Sequence, residues 1–263
     1  MIHPSAIISP KAKIDNDVII GPFCTIGDNV IIKSGTLIRS HVVIDGKTEI
    51  GRNNIIYPFT TIGLYPQDLK FNKEDSQVII GDNNTIRENV TIHLGTKDGG
   101  MITKIGSHNL LMVGVHIAHD CLIGDHNIFA NNATLAGHVV VGNRVVIGGL
   151  SAIHQFVRIG NGAMIGGMSG VESDVIPYSS TKGERASLAG INIRGLKRNN
   201  FVHSDIQALN NFYKLIFEES DKRPFLDRVF EIAKLFPNNN LVHEIIEFLK
   251  EKSDRSYCKP KNN

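Results

Sequence analysis

The most regular feature of the sequence is an isoleucine at every sixth position from Ile2 to Ile62. A glycine often follows that isoleucine, and a small residue, a valine or a cysteine commonly stands four positions after it. A spacing of six is a multiple of two and fits extended structure, whereas an amphipathic helix would mix spacings of three and four. The pattern therefore predicts short strands that each bury one large apolar side chain and are joined by turns.

A six-residue unit is too small to bury its own apolar face, so it must stack on copies of itself. Three units per coil would build a triangular prism of roughly 18 residues per turn, with each coil about 4.8 Å from the next. Residues that are one coil apart in sequence are then neighbours in space. We therefore expect a mainly β fold, a parallel β-helix of hexapeptide repeats, followed by a small C-terminal α-helical domain.

Two breaks interrupt the period. The first covers residues 64–78, where charged and apolar residues mix, and the second covers the glycine-rich stretch 95–103. Because stacked coils pin both ends of an insertion, each break must project as a loop, and such projections commonly bind ligands. The alternatives are a surface loop without function for the first break and a turn or flexible flap for the second.

The last part of the chain has the apolar spacing of helices. A capping box of Ser204 and Gln207 predicts the start of one helix. Further helices are predicted over residues 224–236 and 241–250, the last with Asn240 as its N-cap. The helical spacing marks this part as a unit distinct from the repeat.

The change of period divides the chain into two domains. We expect a β-helix domain that carries catalysis over residues 1–190, including both projecting loops, and a helical domain over 191–263. The length of 263 residues exceeds the usual size of one domain. A repeat protein escapes that limit because it grows along one axis.

Composition excludes several classes of protein. The net charge of +2 does not favour nucleic acid as a partner. The three cysteines have no Cys-x-x-Cys spacing, so neither a disulfide framework nor a thiolate zinc site is expected. The chain enters the repeat at once, and no apolar stretch approaches membrane-spanning length. These features predict a cytoplasmic protein without a membrane span.

The outward-facing residues change character in the second half of the repeat, where imidazoles and carboxamides replace generic polar side chains. Stacking at roughly 18 residues per coil gathers them on one edge of the prism, beside positions occupied by glycine. The predicted columns are His119, Gly137 and Gln155, then Asp120, His138 and Phe156, and then Asn131, Gly149 and Gly167.

Over essentially its whole length the chain resembles the UDP-N-acetylglucosamine 3-O-acyltransferases of lipid A biosynthesis, a family of hexapeptide-repeat transferases. Hexads alone would not indicate a substrate, because many transferases share them. The resemblance is specific because several motifs match in order and spacing. They are His116-Ile117-Ala118-His119-Asp120-Cys121, residues 131–139, His154-Gln155-Phe156, Gln67-Asp68-Leu69-Lys70, residues 166–171 and residues 192–198.

The resemblance implies a left-handed coil, a homotrimer, and transfer of an R-3-hydroxyacyl chain from acyl carrier protein to the glucosamine 3-hydroxyl of UDP-N-acetylglucosamine. No cofactor and no metal are implied. A sugar hydroxyl is a poor nucleophile at neutral pH, so a base must take its proton, and histidine has a suitable pKa. We assign His119 as that base and Asp120 as the carboxylate that supports it. The backbone N–H of Gly137 is the expected donor to the oxyanion.

Further site residues follow from the family, position by position. The projecting loop would meet sugar or acyl groups, the histidine edge would line the nucleotide-sugar site, and the 192–198 motif would hold the acyl group and the phosphates through oxyanion-binding side chains. In that order the residues are Gln67, Asp68 and Lys70, then His138, His154 and Gln155, and then Asn192 and Arg198.

Acyl-chain length is assigned to Gly167 and Arg185. Without a side chain, Gly167 leaves room for acyl methylenes on the solenoid surface. The family resemblance implies a long 3-hydroxyacyl chain, nearer fourteen carbons than ten. The long side chain of Arg185, which stands where the family often has a histidine, would close the groove earlier. Arg194 and Asn199 also depart from the family pattern, which often has an acidic residue and an arginine there.

Two other functional classes stay open at this point. A zinc enzyme like the carbonic anhydrases on the same fold would use His116, His119 and His138 as ligands and leave a position for water. A structural solenoid without activity would not need a histidine cluster beside glycine columns. His116 is equally consistent with a structural or trimer-interface role.

Acyl carrier proteins are acidic, so a basic surface near the C-terminal domain is the expected docking site. The chain has six candidate side chains for that surface despite its small net charge. They are Arg194, Lys197, Arg198, Lys214, Lys222 and Arg223.

Overall fold

Three parallel sheets form the faces of a triangular solenoid, and the chain visits them in rotation. A computed structural model describes residues 1–218, 220–221 and 223–261. In it Ile7 pairs with Thr25 and Ile8 with Ile26, a register of 18 residues. The coils therefore stack as the period predicts, and the fold is a left-handed parallel β-helix with a small C-terminal helical part.

The strands are short, and strands three apart in chain order pair with each other. Sheet 1 contains β1 and every third strand to β25, sheet 2 runs in the same way from β2 to β23, and sheet 3 runs from β3 to β24 and then adds β26 and the antiparallel β27. In chain order the strands are β1 (Ile7–Ile8), β2 (Lys13–Ile14), β3 (Ile19–Ile20), β4 (Thr25–Ile26), β5 (Val30–Ile32), β6 (Leu37–Ile38), β7 (Val43–Ile44), β8 (Lys47–Ile50), β9 (Ile55–Ile56), β10 (Thr61–Leu64), β11 (Gln77–Ile80), β12 (Thr85–Ile86), β13 (Thr91–His93), β14 (Ile102–Ile105), β15 (Leu110–Leu111), β16 (His116–Ile117), β17 (Leu122–Ile123), β18 (Ile128–Phe129), β19 (Thr134–Leu135), β20 (Val140–Val141), β21 (Val146–Ile147), β22 (Ala152–Ile153), β23 (Arg158–Ile159), β24 (Met164–Ile165), β25 (Gly170–Val171), β26 (Ser179–Lys182) and β27 (Ser187–Ile191).

The repeated isoleucines form the core. From Ile20 to Ile62 each of them is at most 2% exposed, whereas Ile2 in the outermost coil is 48% exposed. Burying such a side chain contributes about 1.5–3 kcal/mol relative to leaving it in water. The sixfold period is therefore the periodicity of the main stabilising contacts.

A ladder of buried asparagines lies inside the corner between sheets 2 and 3. The side-chain oxygen of Asn54 accepts the backbone N–H of Asn84 at 2.8 Å, and Asn84 and Asn109 repeat this contact with Asn109 and Asn127. The Nδ2 group of Asn84 donates to the Gly106 carbonyl at 2.9 Å. The side-chain oxygens thereby accept turn N–H groups that the strands do not pair, while the Nδ2 group of Asn127 has no hydrogen-bond partner among the described residues.

Both breaks in the period project at one corner. The first loop joins β10 to β11 and the second joins β13 to β14, so each leaves sheet 1 and re-enters sheet 2. A short 3-10 helix, Lys97–Gly99, shapes the second loop. The turn that carries His119 joins β16 to β17 at the same corner. The corner between sheets 1 and 2, called the loop corner below, therefore receives all three segments.

The helices are α1 (Ile193–Arg198), α2 (His203–Ile216), α3 (Phe225–Ala233) and α4 (Asn240–Lys250). Their apolar faces share one buried cluster with Ile176, Tyr178 and Leu188, so they pack against the end of the solenoid. No helix among the described residues is long and apolar enough to cross a bilayer.

Two predicted helix starts are wrong in detail. Residue Val202 is the N-cap of α2 and makes no side-chain cap, so Ser204 lies within the helix and forms no capping box. Asn239, not Asn240, caps α4, because its side-chain oxygen accepts the Val242 N–H at 3.0 Å. Adjacent asparagines offer the same chemistry, and only the backbone angles distinguish them.

Candidate active site

Two of the three predicted columns, those of His119 and of Asp120, are present at the loop corner, whereas the column of Asn131, Gly149 and Gly167 lies at the corner between sheets 3 and 1. The backbone N–H of His138 donates to the His119 carbonyl at 3.0 Å, and that of Phe156 donates to the Gly137 carbonyl at 3.2 Å. These bonds tie successive turns together, one coil above the next. Side chains that are distant in sequence therefore share one edge of the prism.

An open cleft of about 580 Å³ lies at this edge, between the first projecting loop and the histidine turns. It brings together six of the residues assigned to the site from the sequence, and it adds Leu69, Asp98 and Phe156. The predicted residues that line it are Gln67, Asp68, Lys70, His119, His138 and Gln155.

A histidine that lines the cleft is paired with a fully buried carboxylate. His119 Nδ1 lies 2.8 Å from Asp120 Oδ2, with side chains 10% and 0% exposed. Burial alone would raise the pKa of Asp120, but hydrogen bonds from His119 and Thr96 hold it below its ordinary value. An ionised carboxylate only accepts, so Nδ1 of His119 carries the proton. Nε2 then keeps its lone pair, which is what a general base needs.

Thr96 holds Asp120 in place, and the sequence analysis missed it. Its backbone N–H and its hydroxyl both donate to the carboxylate, the hydroxyl at 2.6 Å from Oδ2. The backbone N–H of Asp120 donates in turn to Thr103 Oγ1 at 2.8 Å. A Cβ on Gly99 would overlap the Asp120 carboxylate. The glycine-rich second loop therefore packs closely against Asp120. The threonine within that loop was the sequence feature that could have indicated this contact.

Gly137 lies directly beneath the ring of His119. A Cβ at this position would stand 2.6 Å from His119 Nε2, well inside contact distance. Its own N–H donates to no backbone acceptor among the described residues. The geometry thus combines a free donor with the space that the imidazole needs.

His138 contacts Phe156 in its own column and His119 in the neighbouring column. Its ring stacks on Phe156 at 4.4 Å and meets the His119 ring edge-on at 5.0 Å. Burial lowers the pKa of His138, and the nearby Asp120 carboxylate only partly opposes this. His138 is therefore a neutral hydrogen-bonding group near pH 7.

Other assigned residues lie outside this cleft within the single chain. Asn192 caps α1 by accepting the Gly195 N–H at 2.9 Å, and with Arg198 it lines a separate cavity of about 480 Å³. Gly167 stacks above Gly149 at the corner between sheets 3 and 1, where its Cβ would lie 3.3 Å from the Gly149 carbonyl oxygen. Arg185 pairs with Glu172 at 2.7 Å.

The three imidazoles of the zinc alternative do not form one ligand set among the described residues. His116 Nδ1 lies 2.6 Å from Thr91 Oγ1, and its ring packs edge-on against His93 at 5.0 Å. The grouping that does converge is His119, Asp120 and His138, with possible ligand atoms within 4.8 Å of one another. In that group the carboxylate already accepts the Thr96 and His119 hydrogen bonds.

The candidate docking residues are only partly available. Arg194, Lys197 and Arg198 are exposed on α1, whereas Arg223 is paired with Asp221 at 2.6 Å. Lys222 lies outside the described residues. Docking of the carrier protein on this surface stays a prediction.

Two protein-family models match different parts of the chain. The family model described as UDP N-acetylglucosamine O-acyltransferase, domain 2, matches residues 174–258. The bacterial transferase hexapeptide model matches residues 5–40 and 102–137.

Curated relatives match at full length. A Rickettsia prowazekii protein named acyl-[acyl-carrier-protein]–UDP-N-acetylglucosamine O-acyltransferase is 54% identical over 258 residues, covering 98% of this chain and 97% of that protein. A Thermodesulfovibrio yellowstonii protein of the same name is 51% identical, covering 98% and 99%. Among solved structures, LpxA from Acinetobacter baumannii has a TM-score of 0.94 and 46% identity, covering 98% of this chain and 99% of that one.

Proposed function

Since this chain belongs to the family of acyl-[acyl-carrier-protein]–UDP-N-acetylglucosamine O-acyltransferases, we propose that its loop corner moves an R-3-hydroxyacyl chain from acyl carrier protein to the sugar 3-hydroxyl. The chain is an O-acyltransferase of the first step of lipid A biosynthesis. The observation that carries the assignment of the site is that His119 lines the cleft while its Nδ1 is held by the buried carboxylate of Asp120.

The reaction follows from the roles of these groups. Nε2 of His119 takes the proton of the 3-hydroxyl while the oxygen attacks the thioester carbonyl. The backbone N–H of Gly137 donates to the oxyanion of the tetrahedral intermediate. The tetrahedral intermediate then keeps the new C–O bond and breaks its C–S bond. The imidazolium gives its proton to the departing carrier thiolate. Asp120 stabilises the imidazolium in between.

The zinc-enzyme alternative is not supported, because the full-length relatives are named O-acyltransferases. Measuring carrier thiol release with and without UDP-N-acetylglucosamine tests the proposed function. We expect release only with the nucleotide sugar, unaffected by a zinc chelator. Release without acceptor, or loss of activity with the chelator, would contradict the proposal. The cytoplasmic location stays a prediction for cell fractionation.

We further propose that the chain works as a homotrimer. The outward side chains of sheet 3 form an apolar row that Thr85 interrupts between Ile55 and Leu110, and a cyclic assembly covers such a row without leaving an open end. A neighbouring subunit would then supply Asn192, Arg198 and Gly167 to the cleft, which the single chain does not do. The row contains Ile19, Leu37, Ile55, Leu110, Ile128, Val146 and Met164.

Sedimentation equilibrium at micromolar concentration measures the assembly. We expect a mass three times that of the 28.9 kDa chain. Replacing Ile128 by lysine places a charge in the middle of the row and should shift the protein toward smaller species. A monomeric wild type would remove this proposal and the shared site with it.

Acyl length provides a further prediction. Replacing Gly167 by methionine should shift donor preference toward shorter chains, because the new side chain fills surface next to Gly149 that acyl methylenes would occupy. Each buried methylene contributes about 0.8 kcal/mol, close to a four-fold change in affinity per carbon. The measurement is kcat/KM across 3-hydroxyacyl carrier proteins of increasing length.

Arg185→Ala is the companion variant. Its guanidinium is paired with Glu172 on the surface, and its removal should lengthen the preferred chain if the pair closes the groove. An unchanged length profile in both variants would place the acyl chain elsewhere.

A further inference from the structure

The C-terminal tail returns to the solenoid and extends its last coil. The Asp174 N–H donates to the Ser256 carbonyl at 2.7 Å, and the Cys258 N–H donates to the Asp174 carbonyl at 2.8 Å. The Leu188 N–H donates to the Lys259 carbonyl at 2.9 Å, and Cys258 is 3% exposed. Residues 253–259 are therefore a paired segment with a fixed path.

A second anchor holds the chain where it enters this segment. The guanidinium of Arg158, on the last strand of sheet 2, pairs with Asp174 at 2.8 Å and with Glu251 at 3.0 Å. It also lies 4.4 Å from the ring centre of Phe248 in α4. The helical domain, the last coil and the tail are thus joined around one buried cation.

Along this path Arg255 lies next to His154 and Gln155. One nitrogen of its guanidinium lies 2.7 Å from His154 Nδ1, and Nε donates to the Gln155 carbonyl at 2.9 Å. The side chain of Gln155 lines the cleft together with His119. A residue about a hundred positions away in sequence therefore holds two groups at the margin of the site.

The contact fixes which ring nitrogen of His154 carries the proton. A guanidinium has only donors, so His154 Nδ1 must accept and its proton must sit on Nε2. The Gln155 carbonyl also lies 3.3 Å from Nδ1 and would accept a proton there, but the guanidinium contact is shorter and satisfies both acceptors at once. His154 is thereby held as an Nε2–H donor.

We infer that Arg255 is a positioning residue, which presents His154 and Gln155 to the nucleotide sugar through the tail. The inference rests on the proposed function and on the expectation from the family resemblance that these two residues line the nucleotide-sugar site. Arginine can donate from two nitrogens of its rigid guanidinium to two acceptors at once, a role that lysine does not fill.

Steady-state kinetics of Arg255→Ala provide the first test. Without Arg255, His154 is no longer held as an Nε2–H donor, and one oriented hydrogen bond to the nucleotide sugar is lost. The KM for UDP-N-acetylglucosamine should therefore rise about three- to ten-fold. We expect kcat and the KM for the acyl carrier protein to stay close to wild type. Arg255→Lys should recover only part of the loss. Lys252→Ala removes an exposed cation from the chain just before the tail segment and should change nothing.

The tautomer of His154 is the second test, read from the ¹⁵N resonances of its ring. In the wild type Nδ1 should be unprotonated, whereas in Arg255→Ala the Nδ1–H form should grow, because the Gln155 carbonyl becomes the remaining acceptor. An unchanged tautomer together with an unchanged KM would overturn the inference. A wild type that transfers no acyl chain to the nucleotide sugar would instead overturn the proposed function.

Discussion

Replacing His119 by alanine should lower kcat by about 10²- to 10⁴-fold, the usual contribution of a general base, while leaving the fold and nucleotide-sugar binding intact. His119 lies in a turn between β16 and β17, and the strands on either side of it are held in the core by Ile117 and Ile123. Single-turnover rates with acyl carrier protein, together with binding of UDP-N-acetylglucosamine, measure the two effects separately.

His243→Ala is a matched control for that variant. It removes an exposed imidazole from α4, outside the cleft at the loop corner, and should leave turnover unchanged. If His119→Ala retained more than about a tenth of wild-type kcat, another group would have to be the base.

Replacing Asp120 by asparagine should reduce kcat to a similar degree, about 10²- to 10⁴-fold, because the histidine loses its orientation and its proton moves to the wrong nitrogen. The carboxylate accepts from His119, from the Thr96 N–H and from the Thr96 hydroxyl. An amide has one acceptor oxygen, and its NH₂ group would face donors. We expect a loss of unfolding free energy of about 1–3 kcal/mol at pH 7.

The loss of unfolding free energy in Asp120→Asn should depend on pH in a defined direction. The pKa of Asp120 is lower in the folded chain, so the stability it supplies is present above the unfolded carboxyl value and is lost as pH falls through the folded value. The stability difference between wild type and Asp120→Asn should therefore narrow in acid. Denaturant titrations at several pH values measure it, and a difference that widened as pH fell would contradict the assignment.

Asp125→Asn is the matched control for Asp120. Asp125 occupies another turn of the solenoid and accepts the Ser107 N–H, and Asn143 and Asn161 make the equivalent bond in the next coils. Asparagine side chains therefore already make this hydrogen bond at the same position of the next two coils. The variant should fold and turn over like the wild type.

The periodic part of this structure could be predicted from sequence because stacking depends on spacing alone. Once residues 18 apart are neighbours, the positions of His119 above Gly137 and of His138 beside Phe156 follow without knowledge of any loop. The contacts that escaped prediction are those without a period. Thr96 reaches Asp120 from a projecting loop, and Arg255 reaches His154 from the tail.

Asn192 and Arg198 show a different limit. Their motif is readable in the sequence, yet in the single chain they lie beside sheet 3, away from His119 at the loop corner. A site shared between subunits leaves no periodic signal of which corner meets which. In the proposed trimer a neighbouring subunit would bring those two residues to His119.

The most direct test of the account is to identify the product. Purified protein is incubated with UDP-N-acetylglucosamine and an R-3-hydroxyacyl carrier protein, and mass spectrometry with fragmentation locates the acyl group. We expect an ester on the 3-oxygen of the glucosamine ring with wild type and only trace product with His119→Ala. Absence of that ester with wild type, or its formation at equal rates by both proteins, would contradict the account.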